Sequence, residues 1–215
     1  MSAISPREHA ADRWVHVLGL GLGAPAALAV VLVAAFDSAR GQLAPAALYA
    51  AGLLAMLGCS AAYNLGRLSA RRSSRRHDWL RRLDHAAIFV MIAGTYTPFT
   101  LRLERAWAEG LTAAIWAIAA AGIAVKLLRP RTARLHSISV ALYLALGWIG
   151  LVALGPFTAS LAVPTLLLLA IGGALYTAGV AFHLWHRLPY QNAIWHGFVL
   201  AAAGVHYAAV LTVVG

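Results

Sequence analysis

Seven long apolar stretches, separated by short polar or charged connections, dominate this sequence of 215 residues. An α-helix needs about 20 apolar residues to cross a bilayer, and each stretch is close to that length. The sequence lacks the alternating pattern of a membrane β-barrel, so we predict an all-α membrane protein, a bundle of seven transmembrane helices. The predicted spans cover residues 14–36, 43–65, 83–101, 111–128, 137–154, 161–182 and 190–214.

The composition excludes a soluble domain of ordinary makeup. Hydrophobic residues form 61% of the chain and charged residues only 11%, against about 25% charged in globular domains. Seven spans with short connections use nearly the whole length, so we predict a single transmembrane domain over residues 1–215. The first apolar stretch is longer than the core of a signal peptide, which favours a retained span over a cleaved leader. The single Cys59 excludes an internal disulfide and a multi-thiolate metal site.

The basic residues predict the orientation. A net charge of +10 would suggest nucleic-acid binding in a soluble protein, but in a membrane protein an excess of Arg and Lys marks the cytoplasmic connections. The predicted cytoplasmic side carries 14 of the 17 basic residues: Arg7, Arg13, Arg67, Arg71, Arg72, Arg75, Arg76, Arg81, Arg82, Lys126, Arg129, Arg131, Arg134 and Arg187. The other side carries Arg40, Arg102 and Arg105. We therefore predict a cytoplasmic N-terminus, an outside C-terminus, and membrane lipids rather than nucleic acid as partners.

Asp84 stands at the start of the third predicted span. A carboxylate at membrane depth is costly unless it is paired, hydrogen-bonded or bound to a cation, which makes Asp84 a candidate functional residue. The predicted topology brings three further pairs of polar residues to the same cytoplasmic end: Asp12 and His16, Ser60 and Asn64, and Asn192 and His196. The members of each pair are four residues apart and share a helix face. We predict that they form one polar cluster with Asp84 in the inner leaflet.

Each of these residues also has a structural interpretation. A single His or Asn near a helix end often reaches the interface or caps a neighbouring helix. Asp84 follows Arg81 and Arg82, which offer it an ion pair at the surface. His206 lies about 15 Å beyond His196 along the same helix, where a hydrogen bond to a neighbouring helix fits better than a metal.

Four sequence motifs resemble those of a known family. They are DRWVHVLGLGLG in the first span, CSAAYN in the second, LRRLDHAAIFVMIAGTYTPF in the third and QNAIWHGFVLAAAGVHY in the seventh. In this order, over nearly the whole chain, they resemble the haemolysin III group, the bacterial branch of the progestin and adipoQ receptor family. The resemblance implies a seven-helix protein of the bacterial inner membrane with a cytoplasmic N-terminus.

The resemblance also implies a zinc site in the inner leaflet. In that family the ion is held by a histidine that ends the second helix and by two histidines, four apart, that start the seventh; an aspartate and a serine lie nearby. Ser60, Asp84 and His196 match the serine, the aspartate and one histidine. The other two histidine positions hold Asn64 and Asn192. Because zinc takes thiolate, imidazole and carboxylate ligands, the family's three-histidine site is not present in this sequence.

Three states of the site remain open. The cluster can be a metal-free, hydrogen-bonded core. It can hold zinc through His196 and Asp84, with His16 as a further ligand. It can instead hold a harder cation through Asp84 and amide oxygens, since carboxylate and carbonyl groups suit such ions.

The resemblance implies a membrane protein that helps maintain lipid state or fluidity. One alternative is a metal-dependent, ceramidase-like hydrolase of a lipid amide or ester, in which zinc activates water, Asp84 accepts its proton and Ser60 stabilises the oxyanion. A second is a non-catalytic sensor or scaffold. A pore is disfavoured, because conduction needs a continuous polar lining and Asp84 is the one acid that the predicted spans place at membrane depth. The sequence does not predict a substrate or an oligomeric state.

Overall fold

The computed structural model describes residues 5–36, 41–66, 74–128 and 133–215, and within these ranges the regular structure is entirely helical. The helices are α1 Pro6–Phe36, α2 Leu43–Gly66, α3 Ser74–Thr100, α4 Arg105–Leu128, α5 Ala133–Gly147, α6 Leu154–Ser160, α7 Val163–Leu184 and α8 Gln191–Val214. A 3₁₀ helix, Ile149–Ala153, joins α5 to α6. The predicted all-α fold class is confirmed.

Six segments of the described chain are long and apolar enough to cross a membrane: α1, α2, α4, Ser137–Ser160, α7 and α8. The protein is therefore an integral membrane protein, as predicted. The third helix is less apolar because its first turns carry several arginines and Asp84. Its second half is nevertheless buried between α2 and α4, with Phe89 and Phe99 almost fully enclosed.

The fifth apolar stretch is not one continuous α-helix. The α-helical hydrogen bonding ends at Gly147 and resumes at Leu154. Glycines at 147, 150 and 155 weaken a helix, because glycine loses more backbone freedom than any other residue. Pro156 has no N–H to continue a helix but is tolerated in the first turn of a new one, which is its place in α6.

The start of α1 fixes how α1 meets α8. The Ser5 hydroxyl accepts a hydrogen bond from the Glu8 N–H at 3.2 Å, and the Glu8 carboxylate accepts one from the Ser5 N–H at 2.7 Å. This reciprocal capping box begins α1 at Pro6, well before the apolar stretch that starts at Trp14. The Glu8 carboxylate also accepts a hydrogen bond at 2.9 Å from the N–H of Tyr190, the residue before α8. The first turns of α1 and α8 therefore lie side by side.

The closest helix contact joins α2 and α3. A Cβ atom at Gly52 would lie 3.1 Å from the Val90 carbonyl oxygen, and one at Gly94 would lie 2.9 Å from the Leu48 carbonyl oxygen. The two backbones therefore touch where small residues permit it, as is usual in membrane helix pairs.

A cavity of about 1320 Å³ lies beside this tightly packed region and is bordered by α5. Its walls come from α1, α2, α3, the 3₁₀ helix and α5 to α8, and most of the lining is apolar. Hydrogen bonds tie α5 to α3 across the gap. The Tyr143 hydroxyl donates to the His85 carbonyl at 2.8 Å, and the Tyr96 hydroxyl donates to the Gly147 carbonyl at 2.6 Å.

Candidate functional site

Polar side chains gather at the end of the cavity where α1, α3 and α8 begin and α2 ends. Among the polar residues that border the cavity there, we call the following seven the polar cluster: Asp12, His16, Ser60, Asn64, Asp84, Asn192 and His196.

Asp12 joins the first and last helices. Its carboxylate accepts a hydrogen bond from Nδ1 of His196 at 2.6 Å. The side chains of Asp12 and His196 are 13% and 14% exposed, respectively. The ring of His196 meets the ring of His16 edge to face, with centroids 4.4 Å apart. These contacts follow from the side-by-side starts of α1 and α8.

His16 is held in one orientation by its own helix. Its Nδ1 donates to the Asp12 backbone carbonyl at 2.7 Å, which leaves the lone pair on Nε2. That Nε2 lies 3.3 Å from the Ser60 hydroxyl, which can donate to it. The imidazole is almost fully buried and connects α1 to α2.

Ser60 connects three other members of the polar cluster. The side-chain nitrogen of Asn64 donates to the Ser60 carbonyl at 3.0 Å and lies 3.3 Å from its hydroxyl. The Ser60 hydroxyl also lies within reach of the Asp84 carboxylate, and its single hydrogen can be donated either to that carboxylate or to Nε2 of His16. Asp84 in turn lies close enough to Asp12 and His196 for direct electrostatic interaction. Two carboxylates therefore share this end of the cavity.

The structure brings the predicted site residues to one place, although their chemical roles stay predictions. His16, Ser60, Asn64, Asp84 and His196 touch one another in a chain of side-chain contacts, and the Asn192 side chain borders the same cavity.

Asp12 lies in the polar cluster, as its spacing of four residues from His16 predicts. The sequence pattern assigns no chemical role to this second carboxylate, which the structure places beside His196. Of the two arginines before Asp84, Arg82 donates to the Leu127 carbonyl and Arg81 lies 3.8 Å from Asp78.

His206 lies apart from the polar cluster, as predicted. Its Nε2 donates to the Leu169 carbonyl of α7 at 3.2 Å, and its ring packs against Gly172 and Tyr176. A histidine whose ring is enclosed and bonded to a backbone carbonyl has a structural role.

Asp12, His16 and His196 form a group that could hold a metal ion, because each offers one ligand atom and these atoms all lie within 4.8 Å of one another. A carboxylate with two imidazoles is a donor set that zinc and iron use in proteins. The two asparagines do not fit such an ion. The nitrogen of the Asn64 amide is engaged with Ser60, and neutral amides are poor zinc ligands.

Comparison with known proteins settles the family. A sequence model described as "Haemolysin-III related" matches residues 7–207, which include every member of the polar cluster. The chain belongs to the haemolysin III family. The resemblance carried by the four motifs is thereby confirmed.

Relatives of this haemolysin III protein occur in bacteria and in animals. It is similar to the "Hemolysin-3 homolog" of Bacillus subtilis (strain 168), with 32% identity over 206 residues, 95% of this chain and 93% of that protein. It is 42% identical to "Hemolysin-3" of Bacillus cereus over 132 residues, 60% of this chain and 58% of that protein. It is 29% identical to "Monocyte to macrophage differentiation factor" of Homo sapiens over 213 residues, 94% of this chain and 83% of that protein.

Proposed function

We propose that this haemolysin III protein acts in the bacterial inner membrane to maintain lipid composition or fluidity, and that residues 1–215 form a single seven-span domain. The bias of basic residues supports a cytoplasmic N-terminus and an outside C-terminus. We take α3 as the seventh span. From Leu83 to Thr100 it is about 27 Å long at 1.5 Å per residue, close to the thickness of the hydrocarbon core, roughly 30 Å.

The observation that carries this proposal is that the polar cluster lies at one end of a long, mostly apolar cavity. A membrane lipid has the same distribution of polarity, with a polar headgroup at one end of an apolar chain. Binding sites usually combine an apolar lining with a few polar groups that fix orientation. Here Leu144, Leu166 and Val199 line the apolar part, while Asp84 and His196 border the polar end.

Deletion and complementation in the host bacterium test the proposal. We expect the deletion strain to show altered lipid species by mass spectrometry and altered fluidity by anisotropy of a membrane probe. Wild-type protein should restore both. Asp84→Asn and His196→Gln should fail to restore them at equal membrane abundance.

The matched control for these variants is Asp78→Asn, which changes a largely exposed acid of the same helix as Asp84, outside the lining of the cavity, and should complement. A deletion strain with unchanged lipids and unchanged fluidity at low and high growth temperature would contradict the proposal. Normal lipids in a strain that carries His196→Gln, together with a lower unfolding temperature of that variant, would favour a non-catalytic scaffold instead.

The Ser60 environment favours a second candidate function, hydrolysis of a lipid amide or ester. The hydroxyl of Ser60 touches Asp84 and His16, so a hydrogen-bond donor, a carboxylate and an imidazole converge beside the cavity. Asp84 would accept a proton from the attacking water, and Ser60 would donate to the developing oxyanion. Zinc, if bound at the polar cluster, would supply a more acidic water.

This second candidate is tested by incubating the purified protein with defined ceramides and phospholipids and measuring released fatty acid. We expect Asp84→Asn to lower the rate at least about 100-fold, the usual effect of removing a general base. Release of fatty acid that is unchanged in Asp84→Asn would exclude this role for Asp84.

A further inference from the structure

We propose that this protein binds one divalent transition-metal ion through Asp12, His16 and His196, a ligand set contributed by α1 and α8. The inference deepens the proposed function, on which it rests only for the use of the site. The histidine positions expected from the family resemblance hold Asn64 and Asn192, so the ion would be held by a different set of residues at the same cluster.

The donor atoms of Asp12, His16 and His196 suit a transition-metal ion. One carboxylate and two imidazoles are the protein ligands of many three-ligand zinc and non-haem iron sites. Metal–ligand distances of about 2.0–2.2 Å place the ligand atoms of a tetrahedral site about 3.4 Å apart. The ligand atoms of Asp12, His16 and His196 lie within 4.8 Å of one another, so small side-chain movements that break the 2.6 Å hydrogen bond between His196 and Asp12 would form the site.

The orientation of His16 also suits metal binding. Histidines that bind metals almost always donate their other ring N–H to a carbonyl or carboxylate, which fixes the tautomer. His16 has this arrangement, since Nδ1 donates to the Asp12 carbonyl at 2.7 Å. Its Nε2 therefore keeps a lone pair at the centre of the polar cluster, and Ser60 stands beside it as an outer partner.

The negative charges of Asp12 and Asp84 also favour a bound cation. Asp12 and Asp84 lie within electrostatic range of each other at the mouth of an apolar cavity, where like charges are poorly screened. The neutral imidazole of His196 donates its one N–H to Asp12, which does not cancel the charge of either acid. A divalent cation beside Asp12 would offset both carboxylates. The imidazole donors favour zinc or iron over magnesium or calcium, which prefer oxygen ligands.

Metal binding by the full chain in detergent tests the inference without any assay of activity. The protein is purified without chelators for metal analysis, then stripped and titrated with Co²⁺, whose visible bands report its coordination, and with Zn²⁺ as competitor. We expect one equivalent per chain. Asp12→Asn, His16→Gln and His196→Gln should each weaken binding more than tenfold.

Two matched controls use the same substitutions away from the ligand set. Asp78→Asn changes a largely exposed acid near Arg81, and His206→Gln changes the histidine that is bonded to α7. Both should bind the ion as the wild type does. Size-exclusion chromatography and circular dichroism establish that each variant is folded before its affinity is compared.

Two results would overturn the inference. One is wild-type protein that binds neither Co²⁺ nor Zn²⁺ at one equivalent. The other is binding that survives both Asp12→Asn and His16→Gln in folded protein. These results are distinct from failure of the proposed function: a metal-free protein that still restores lipids refutes only the metal site, and a metal-binding protein without a lipid phenotype refutes only the function.

Discussion

The α2–α3 contact and the region around α5 are built from similarly apolar helices, yet they pack in opposite ways. Between α2 and α3, Gly52 and Gly94 let the backbones touch. Between α3 and α5 the contacts are made by side chains, such as the rings of Phe89 and Tyr143 with centroids 4.6 Å apart, and a cavity of about 1320 Å³ remains beside them. In a bilayer, apolar side chains gain little by leaving lipid for protein, so close packing of small residues decides which helices adhere.

The difference in packing indicates that the two regions have different roles. The tightly packed helices hold Ser60, Asn64 and Asp84 in fixed positions, as a preorganised site requires. The α5 side is joined to α3 by the hydroxyls of Tyr96 and Tyr143 and by packing of the Tyr143 ring on Phe89, and the remaining space can hold a ligand. The polar cluster lies where the two regions meet.

The largest effect on stability is expected from Gly94→Val, which places a side chain in the close contact between α2 and α3. Its side chain would collide with the backbone at Leu48, and backbone cannot move aside as a flexible side chain can. We expect a loss of about 3 kcal/mol in the free energy of unfolding, at the upper end for overpacked sites. Thermal unfolding in detergent measures it.

The control for Gly94→Val is Gly58→Val, in α2, where an added Cβ meets nothing within 4 Å. Both variants carry the same change in helix propensity, so the difference between their unfolding free energies isolates the contact. Equal unfolding temperatures for the two would show that the α2–α3 contact does not hold this region together.

A smaller effect is expected from Tyr96→Phe, which removes a hydrogen-bonded link of α5. The Tyr96 hydroxyl donates to the Gly147 carbonyl at 2.6 Å and accepts from the Gly150 N–H at 3.2 Å. Losing both should cost about 1–2 kcal/mol, because two backbone groups are left without this partner. Hydrogen exchange of the amides in α5 should quicken while that of α2 stays unchanged.

Tyr190→Phe is the matched control, since Tyr190 contacts Glu8 through its backbone N–H and the residue is 40% exposed. Exchange that quickens equally in α2 and α5 of Tyr96→Phe would mean that α5 does not move as a separate unit.

The sequence predicts the membrane spans well because their lengths and apolarity are dictated by the bilayer. It predicts less well where local chemistry intervenes. The Ser5–Glu8 capping box extends α1 across polar residues that hydropathy assigns to a tail, and this extension brings Asp12 to His196. The family resemblance directs attention to Asn64 and Asn192, whereas the metal-capable group in the structure is Asp12, His16 and His196.

The cavity could not be predicted from the sequence. Apolar helices of this composition can pack tightly or loosely, and the outcome depends on which side chains face each other after folding. The break after Gly147 is visible in the sequence as glycines and Pro156. Its consequence, a fifth segment joined to α3 by two tyrosine hydroxyls, depends on three-dimensional placement of residues far apart in the chain.

The smallest effect on stability, with a large effect on function, is expected from Gly173→Leu. Gly173 lines the cavity, and an added Cβ would only reach ordinary contact with the Trp148 ring at 3.4 Å. The leucine should therefore enter empty space, and the helix gains from the loss of glycine, so the free energy of unfolding should change by no more than about 1 kcal/mol. Lipid composition in the complemented deletion strain should nevertheless stay abnormal, because the side chain occupies the space proposed for an acyl chain.

Gly21→Leu, on the exposed face of α1 with nothing within 4 Å of an added Cβ, is the control and should complement fully. If Gly173→Leu also complements, the open region around α5 is a packing defect rather than a binding site. If Gly173→Leu fails to complement while its unfolding matches the wild type, Gly173 is required for function, in contrast to Gly94, which is required for stability.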